Sequence, residues 1–205
     1  MPIDPRLAAL IAAADSLAET AAAQRRHAAD RTAVGRILAA TLELMGRGPE
    51  IRIAEVVRAA GVSNDAFYRA FRGKAELLAA VTDQAQHRLV GHVAEELGAA
   101  PDHPVERVRV CVRAVLDQAD PKTAATTRAV LRHTSRPDGT LLGCRLADLL
   151  AGPLAALGSP TPAADALAAA GALLSALEQH LWAGTTPTAA DADHLLGYLL
   201  RASRP

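Results

Sequence analysis

Aromatic side chains are scarce in this sequence: two phenylalanines, two tyrosines and one tryptophan in 205 residues. No window shows the period-two alternation of β-branched residues that marks a strand. Alanine and leucine dominate the apolar half of the chain, which favours helix over sheet, so the expected fold class is all-α. Cysteine is limited to Cys111 and Cys144, far apart and in apolar surroundings. That pattern reads as two reduced, buried thiols of a cytoplasmic protein, with redox sensing as the alternative. Long hydrophobic runs are missing as well. No stretch of ~18 apolar residues is free of charges and helix breakers, and the opening MPIDPRLAAL lacks a basic-then-apolar signal pattern. Neither membrane insertion nor secretion is expected.

Net charge is absent too, with 22 Lys/Arg balancing 22 Asp/Glu. Taken whole, that argues against DNA as a partner. Its distribution argues differently. Residues 31–80 hold eight Lys/Arg against five Asp/Glu, a balance of +3, and the remainder holds fourteen against seventeen, a balance of −3. A small positive module on a slightly negative body suits nucleic-acid binding, because phosphate contacts supply most non-specific affinity. Metal and catalytic motifs are lacking. There is no His-Glu-x-x-His, Cys-x-x-Cys or Glu-x-x-His, and His87 and His92, five apart, point to different sides of a helix. There is no Gly-x-Ser-x-Gly and no glycine-rich phosphate loop. No metal, cofactor or catalytic residue is expected, which leaves an all-α enzyme as the remote alternative.

What is present is IAEVVRAAGVSNDAFYRAFRGK, residues 53–74, which predicts two short helices joined by a tight turn. Ile53, Val56, Val57 and Ala60 repeat at helical spacing and give the first helix one buried stripe. Gly61 can take the left-handed conformation that ends a helix, Val62 plugs the angle, and Ser63 stands where an N-cap belongs. The second helix, from Asn64 to about Phe71, sorts into two faces. Ala66, Phe67, Ala70 and Phe71 fall on one side; Asp65, Tyr68, Arg69 and Arg72 fall on the other. A helix too short to stand alone, presenting two guanidiniums, a phenol and a carboxylate, fits reading a DNA major groove. A solvated face on an ordinary helical hairpin fits the spacing equally well.

The longer pattern separates the two readings. GVSNDAFYRAFRGKAELL, with IAEVVRAA before it and RILAATLELMGRG upstream, resembles the N-terminal domain of the TetR family of bacterial transcriptional regulators over residues 32–81. The resemblance implies a three-helix helix-turn-helix domain over residues 31–76, an N-terminal helical extension over 1–30, and a C-terminal effector-binding and dimerisation domain over 77–205. It implies that Tyr68 and Lys74 contact phosphates, and that Asn64, Asp65, Ala66 and Arg69 occupy recognition-helix positions beside the Ser63 cap. Arg72 joins Arg69 as a candidate for base edges or phosphates, and Asp65 as an acceptor from a cytosine amino group. Two positions depart from the family pattern. Arg52 stands where a threonine usually caps the second helix, and an arginine there reaches a phosphate itself. Asp65 stands where a small residue is usual.

Elsewhere the chain reads as helices punctuated by proline and glycine. Leu7, Leu10, Ile11, Ala14 and Leu17 make an apolar stripe, and Arg25, Arg26 and His27 a basic cluster; the stretch reads as a partly ordered helix that packs on its own subunit, with a DNA-contacting arm as the alternative. Asp30 or Thr32 caps the supporting helix, whose Val34, Ile37, Leu38, Thr41, Leu42 and Met45 face inward until Gly46 and Gly48-Pro49 stop it. A long helix from Lys74 links head and body. Helices are then expected over about 104–120, 121–135 and 140–157, with a turn at Arg136-Pro137-Asp138-Gly139 and a kink or interruption at Gly152-Pro153. In the second-last helix Leu167, Ala170, Leu174, Leu177 and Leu181 form a stripe; the last carries Leu195, Leu196, Leu199 and Leu200. The resemblance implies that these two helices build a four-helix homodimer interface. Arg132, His133, Cys111, His180, Trp182 and Tyr198 are candidates for a cavity, and scarce aromatics imply an aliphatic lining suited to a small hydrophobic effector. The expected function is a dimeric, ligand-responsive repressor on a near-palindromic double-stranded DNA operator. The alternative is a DNA-binding regulator with no small-molecule effector.

Overall fold

Alanine and leucine at helical spacing fold as the composition demands. The computed structural model of the chain describes residues 28, 30–48, 50–133 and 139–202. The Leu7–Leu17 stripe, the Arg25–His27 cluster, Pro49 and the Arg136-Pro137-Asp138 turn lie outside them. Among the described residues there is no strand. Helix α1 runs to residue 47 and includes residues 30–47. It is followed by α2 (Ile53–Ala60), α3 (Asn64–Ala70), α4 (Lys74–Ala99) and α5 (Pro104–Leu116). A single 3-10 turn, Asp117–Ala119, precedes α6 (Ala124–His133), α7 (Gly139–Ala156), α8 (Pro162–Ala183) and α9 (Ala189–Ala202). No helix among the described residues is long and apolar enough to cross a membrane.

These elements form two compact units. The first takes the described residues up to Thr41 together with Ile51–Leu77; the second takes Leu42–Glu50 and the described residues from Leu78 onward. Helices α1 and α4 therefore each contribute residues to both. In the first unit Ile37, Thr41, Ile51, Val56, Phe67 and Leu77 are buried to 2% exposure or less. Burial of each large apolar side chain here stabilises by about 1.5–3 kcal/mol. In the second, α5 packs against α7, α8 and α9, and α7 lies along α8. Val108, Val112 and Val115 of α5 meet Leu146, Leu150 and Leu154 of α7 in one continuous core with Leu173, Leu177 and Leu181 of α8.

Four expectations are corrected. Thr32 is not a cap: the chain is already helical at residue 28, and the Thr32 hydroxyl donates to the Ala28 carbonyl one turn back. Helix α7 is not interrupted, because Pro153 sits inside it, near its end. There the proline forfeits one backbone bond, while Leu146, Leu150 and Leu154 gain burial along one face. The buried stripe of α8 is Ala166, Ala169, Ala170, Leu173, Leu177 and Leu181, whereas Leu167 is 50% exposed and Leu174 only half-buried. The inner face mixes three alanines with three leucines, and the alanines let α8 approach its neighbours closely. Cys144 is exposed, being turned away from the buried Leu142–Leu146–Leu150 face, and only Cys111 is buried.

Candidate nucleic-acid interface

The first unit builds a surface from the α2–turn–α3 segment. Helix α2 buries Val56 and Ala60 and ends at Gly61, whose φ of 61° and ψ of 41° are left-handed. The Val62 amide donates back to the Val57 carbonyl at 3.2 Å, closing the helix end. Arg36 of α1 adds a bond from its guanidinium to the Gly61 carbonyl at 3.4 Å. Ser63 then caps α3: its hydroxyl oxygen accepts from the Ala66 amide at 3.1 Å. Helix α3 has only seven residues and depends on its neighbours for stability. Phe67 is fully buried and Phe71 is 6% exposed. The Phe67 ring contacts Tyr68 edge-on at 5.2 Å and Phe71 at 5.8 Å, so the buried ring backs the exposed phenol.

All eight candidate DNA-contacting residues, Arg52, Ser63, Asn64, Asp65, Tyr68, Arg69, Arg72 and Lys74, are exposed. One differs in detail from expectation. Arg72 does not ride on α3, because the helix stops at Ala70 and Phe71 is extended, with φ −139° and ψ 130°. Instead the Arg72 amide donates to the Glu76 carboxylate at 2.7 Å, which ties this corner to the first turn of α4. Arg52 precedes α2 with no side-chain capping bond, as its departure from the threonine pattern implies. Lys74 opens α4, where the helix dipole adds positive potential.

Two contributors escaped sequence reasoning. Arg36, which holds the turn, lies on the solvent side of α1 and carries no motif. Asp30 pairs with Arg69 at 3.7 Å, both side chains more than half exposed. Such a pair is weak, about 0–1 kcal/mol, and an incoming phosphate can displace it. Both follow from the way α1 lies across the turn, which periodicity does not encode.

The second unit holds a cavity of about 400 Å³. Leu89, Val130, Leu131, Leu142, Leu174 and Leu177 supply its apolar wall, and no Phe, Tyr or Trp lines it. None of the expected candidates whose side chain is described contributes. Cys111 is sealed in the core, where burial pushes its thiol up to about 12. Arg132 lies over the Trp182 ring at 5.7 Å, and His180 Nδ1 is 2.9 Å from the Thr185 hydroxyl. The side chain of His133 is outside the described residues. Among the described residues no cluster of three or more His, Cys, Asp or Glu could hold a metal ion.

Residues 37–81, from α1 through α2, the turn and α3 into α4, match the family described as bacterial regulatory proteins, tetR family. This chain is a TetR-like DNA-binding transcriptional regulator. Solved structures place the regulator's fold in the same company. A transcriptional regulator from Rhodococcus sp. Rha1 aligns with a TM-score of 0.63 at 16% identity, over 83% of this chain and 95% of that one. The fatty acid degradation regulator FadR from Bacillus halodurans aligns with a TM-score of 0.63 at 18% identity, over 83% and 99%. A TetR-family transcriptional regulator from Rhodococcus sp. aligns with a TM-score of 0.61 at 19% identity, over 83% and 98%. No curated protein sequence matches the regulator.

Proposed function

We propose that the regulator is a cytoplasmic, non-enzymatic repressor that acts as a homodimer and releases DNA when a small molecule enters the cavity of the second unit. The observation that carries the DNA side is the joint exposure of Asn64, Asp65, Tyr68, Arg69 and Lys74 on a scaffold whose buried Phe67 and Phe71 fix their direction. Asn64, Asp65 and Arg69 read base edges; Tyr68, Arg72, Lys74 and Arg52 hold phosphates, and the Ser63 cap fixes the start of α3. A near-palindromic operator presents two such sites about 34–36 Å apart, which requires two subunits. The dimer reading is supported by α8 and α9, which leave Leu167 50%, Trp182 52% and Tyr198 52% exposed in one chain. Burying these large apolar side chains against a second copy is what that face lacks.

The ligand side rests on α4. It carries Lys74 in its first turn and Ala85, Gln86 and Leu89 in the cavity wall. Twelve residues of helix separate Lys74 from Gln86, about 18 Å. A ligand that favours one tilt of α4 by differential affinity shifts the population away from the DNA-competent state. The cavity itself weighs against a regulator with no effector, which calls for a solid body.

Selection of bound genomic fragments, followed by footprinting, tests the proposal. The expected outcome is a near-palindromic site protected by two subunits. Leu167→Glu is expected to give a monomer by light scattering, and that monomer is expected to leave the operator unprotected. A monomeric parent protein, or fragments without two-fold symmetry, would overturn this reading.

A further inference from the structure

The wall of the cavity contains a polar group with no protein partner among the described residues. Gln86 of α4 is only 6% exposed, yet its side-chain amide has no hydrogen-bond partner among the described residues. The amide atoms themselves are not sealed in, so they open onto the cavity, where water or a bound molecule can pair with them. Around it the charges are unbalanced. Arg88 and Lys122 line the same cavity and make no ion pair among the described residues, and half-buried His92 stands one turn beyond Arg88. The one acidic residue of the lining is Glu178, on α8. The rest of the wall is aliphatic apart from Gln118, Thr123, Thr126 and Thr127.

We propose that the cavity binds an aliphatic monocarboxylate, with its headgroup received by the Gln86 amide and the Arg88 and Lys122 cations and its hydrocarbon body against Leu89, Leu131 and Leu174. The amide N–H donates to one carboxylate oxygen, and the cations supply the countercharge that a desolvated carboxylate needs. A cavity of about 400 Å³ falls in the range for drug-sized ligands. A cationic amphiphile has only Glu178 to meet it, against the Arg88 and Lys122 cations of the same lining. A planar aromatic ligand finds no phenyl or indole ring to stack on. The inference rests on the reading of this cavity as the ligand site and adds its chemistry.

The test is isothermal titration calorimetry of the protein with decanoate, decanol and decylamine, below their micelle concentrations and at mildly alkaline pH. Decanoate is expected to bind at least tenfold more tightly than decanol, with decylamine weakest, and each methylene removed from the acid is expected to cost about fourfold. Gln86→Leu, which removes the unpaired amide without emptying the site, is expected to weaken decanoate about tenfold or more while leaving decanol within about threefold. Arg88→Ala, on an exposed residue, is the second variant and is expected to act the same way. Absence of decanoate binding, equal affinity for the three probes, a preference for the amine, or no change in either variant would overturn the ligand class. DNA affinity measured with and without decanoate separates the two readings. Tight decanoate binding with unchanged DNA affinity sinks the effector role and leaves the ligand class standing. DNA release by all three amphiphiles alike does the reverse.

Discussion

Ser63 has two readings on this surface, a helix cap or a phosphate contact, and Ser63→Ala paired with Ser63→Asp tells them apart. Its hydroxyl oxygen already accepts from the Ala66 amide at 3.1 Å, so alanine removes a cap worth about 1 kcal/mol. Helix α3 survives that loss because Phe67 and Phe71 are buried, each stabilising by about 1.5–3 kcal/mol. The expected effect is therefore local. Amides of α3 should exchange about fivefold faster in Ser63→Ala, the ratio that ~1 kcal/mol sets, while DNA affinity falls less than about threefold. Aspartate also caps well and suits the positive end of the helix, so Ser63→Asp should restore exchange protection. It also brings a carboxylate to the proposed DNA-binding surface, so its DNA affinity should drop well below that of Ser63→Ala, most steeply at low salt. Hydrogen exchange by mass spectrometry and fluorescence anisotropy on the selected operator read the two effects separately. A Ser63→Ala protein that loses DNA affinity tenfold with unchanged exchange would refute the capping argument and make the hydroxyl a DNA contact.

Lys74→Ala is expected to weaken the operator and a random duplex by the same factor and to lower the slope of log affinity against log salt by about one; unchanged affinity across several salt concentrations would remove Lys74 from the interface. Gly61→Ala is expected to cost about 1–2 kcal/mol in urea unfolding from its φ of 61° alone, since the added Cβ meets only Arg36 Nη1, at 3.9 Å. A much larger loss would point to a clash that the open space around Gly61 denies. Cys144 is expected to react with a thiol reagent in the native protein while Cys111 stays protected. The Cys111 thiol, pushed up to about 12 by burial, keeps its proton in the folded state when the unfolded chain has lost it above about 9. Stability is thus expected to hold below pH ~9 and to decline between ~9 and ~12, and Cys111→Ala should flatten that decline.

Much of the reading head was legible from residues alone, because its signals are local. A glycine that must turn left-handed, a serine that must cap, and two phenylalanines four residues apart on one face are each decided within one or two turns of helix. The order of helices and the exposed face of α3 follow from the same short-range periodicity, and the all-α class from composition. Where Arg72 stands, Asp30 beside Arg69, and Arg36 over the Gly61 carbonyl were settled by α1 and α4 approaching the turn from elsewhere in the chain. In the second unit the α8 stripe was legible only in part: Ala170, Leu177 and Leu181 are buried but Leu167 is exposed, because apolar residues occur on more than one side and only packing decides which faces inward. The cavity was beyond reach for the same reason. Gln86, Arg88, Lys122 and Leu174 come from separate helices and a turn, with nothing in their spacing to announce a shared wall. Local backbone chemistry is written along the chain; which faces meet depends on the sum of weak, non-directional contacts, and only the folded molecule evaluates that sum.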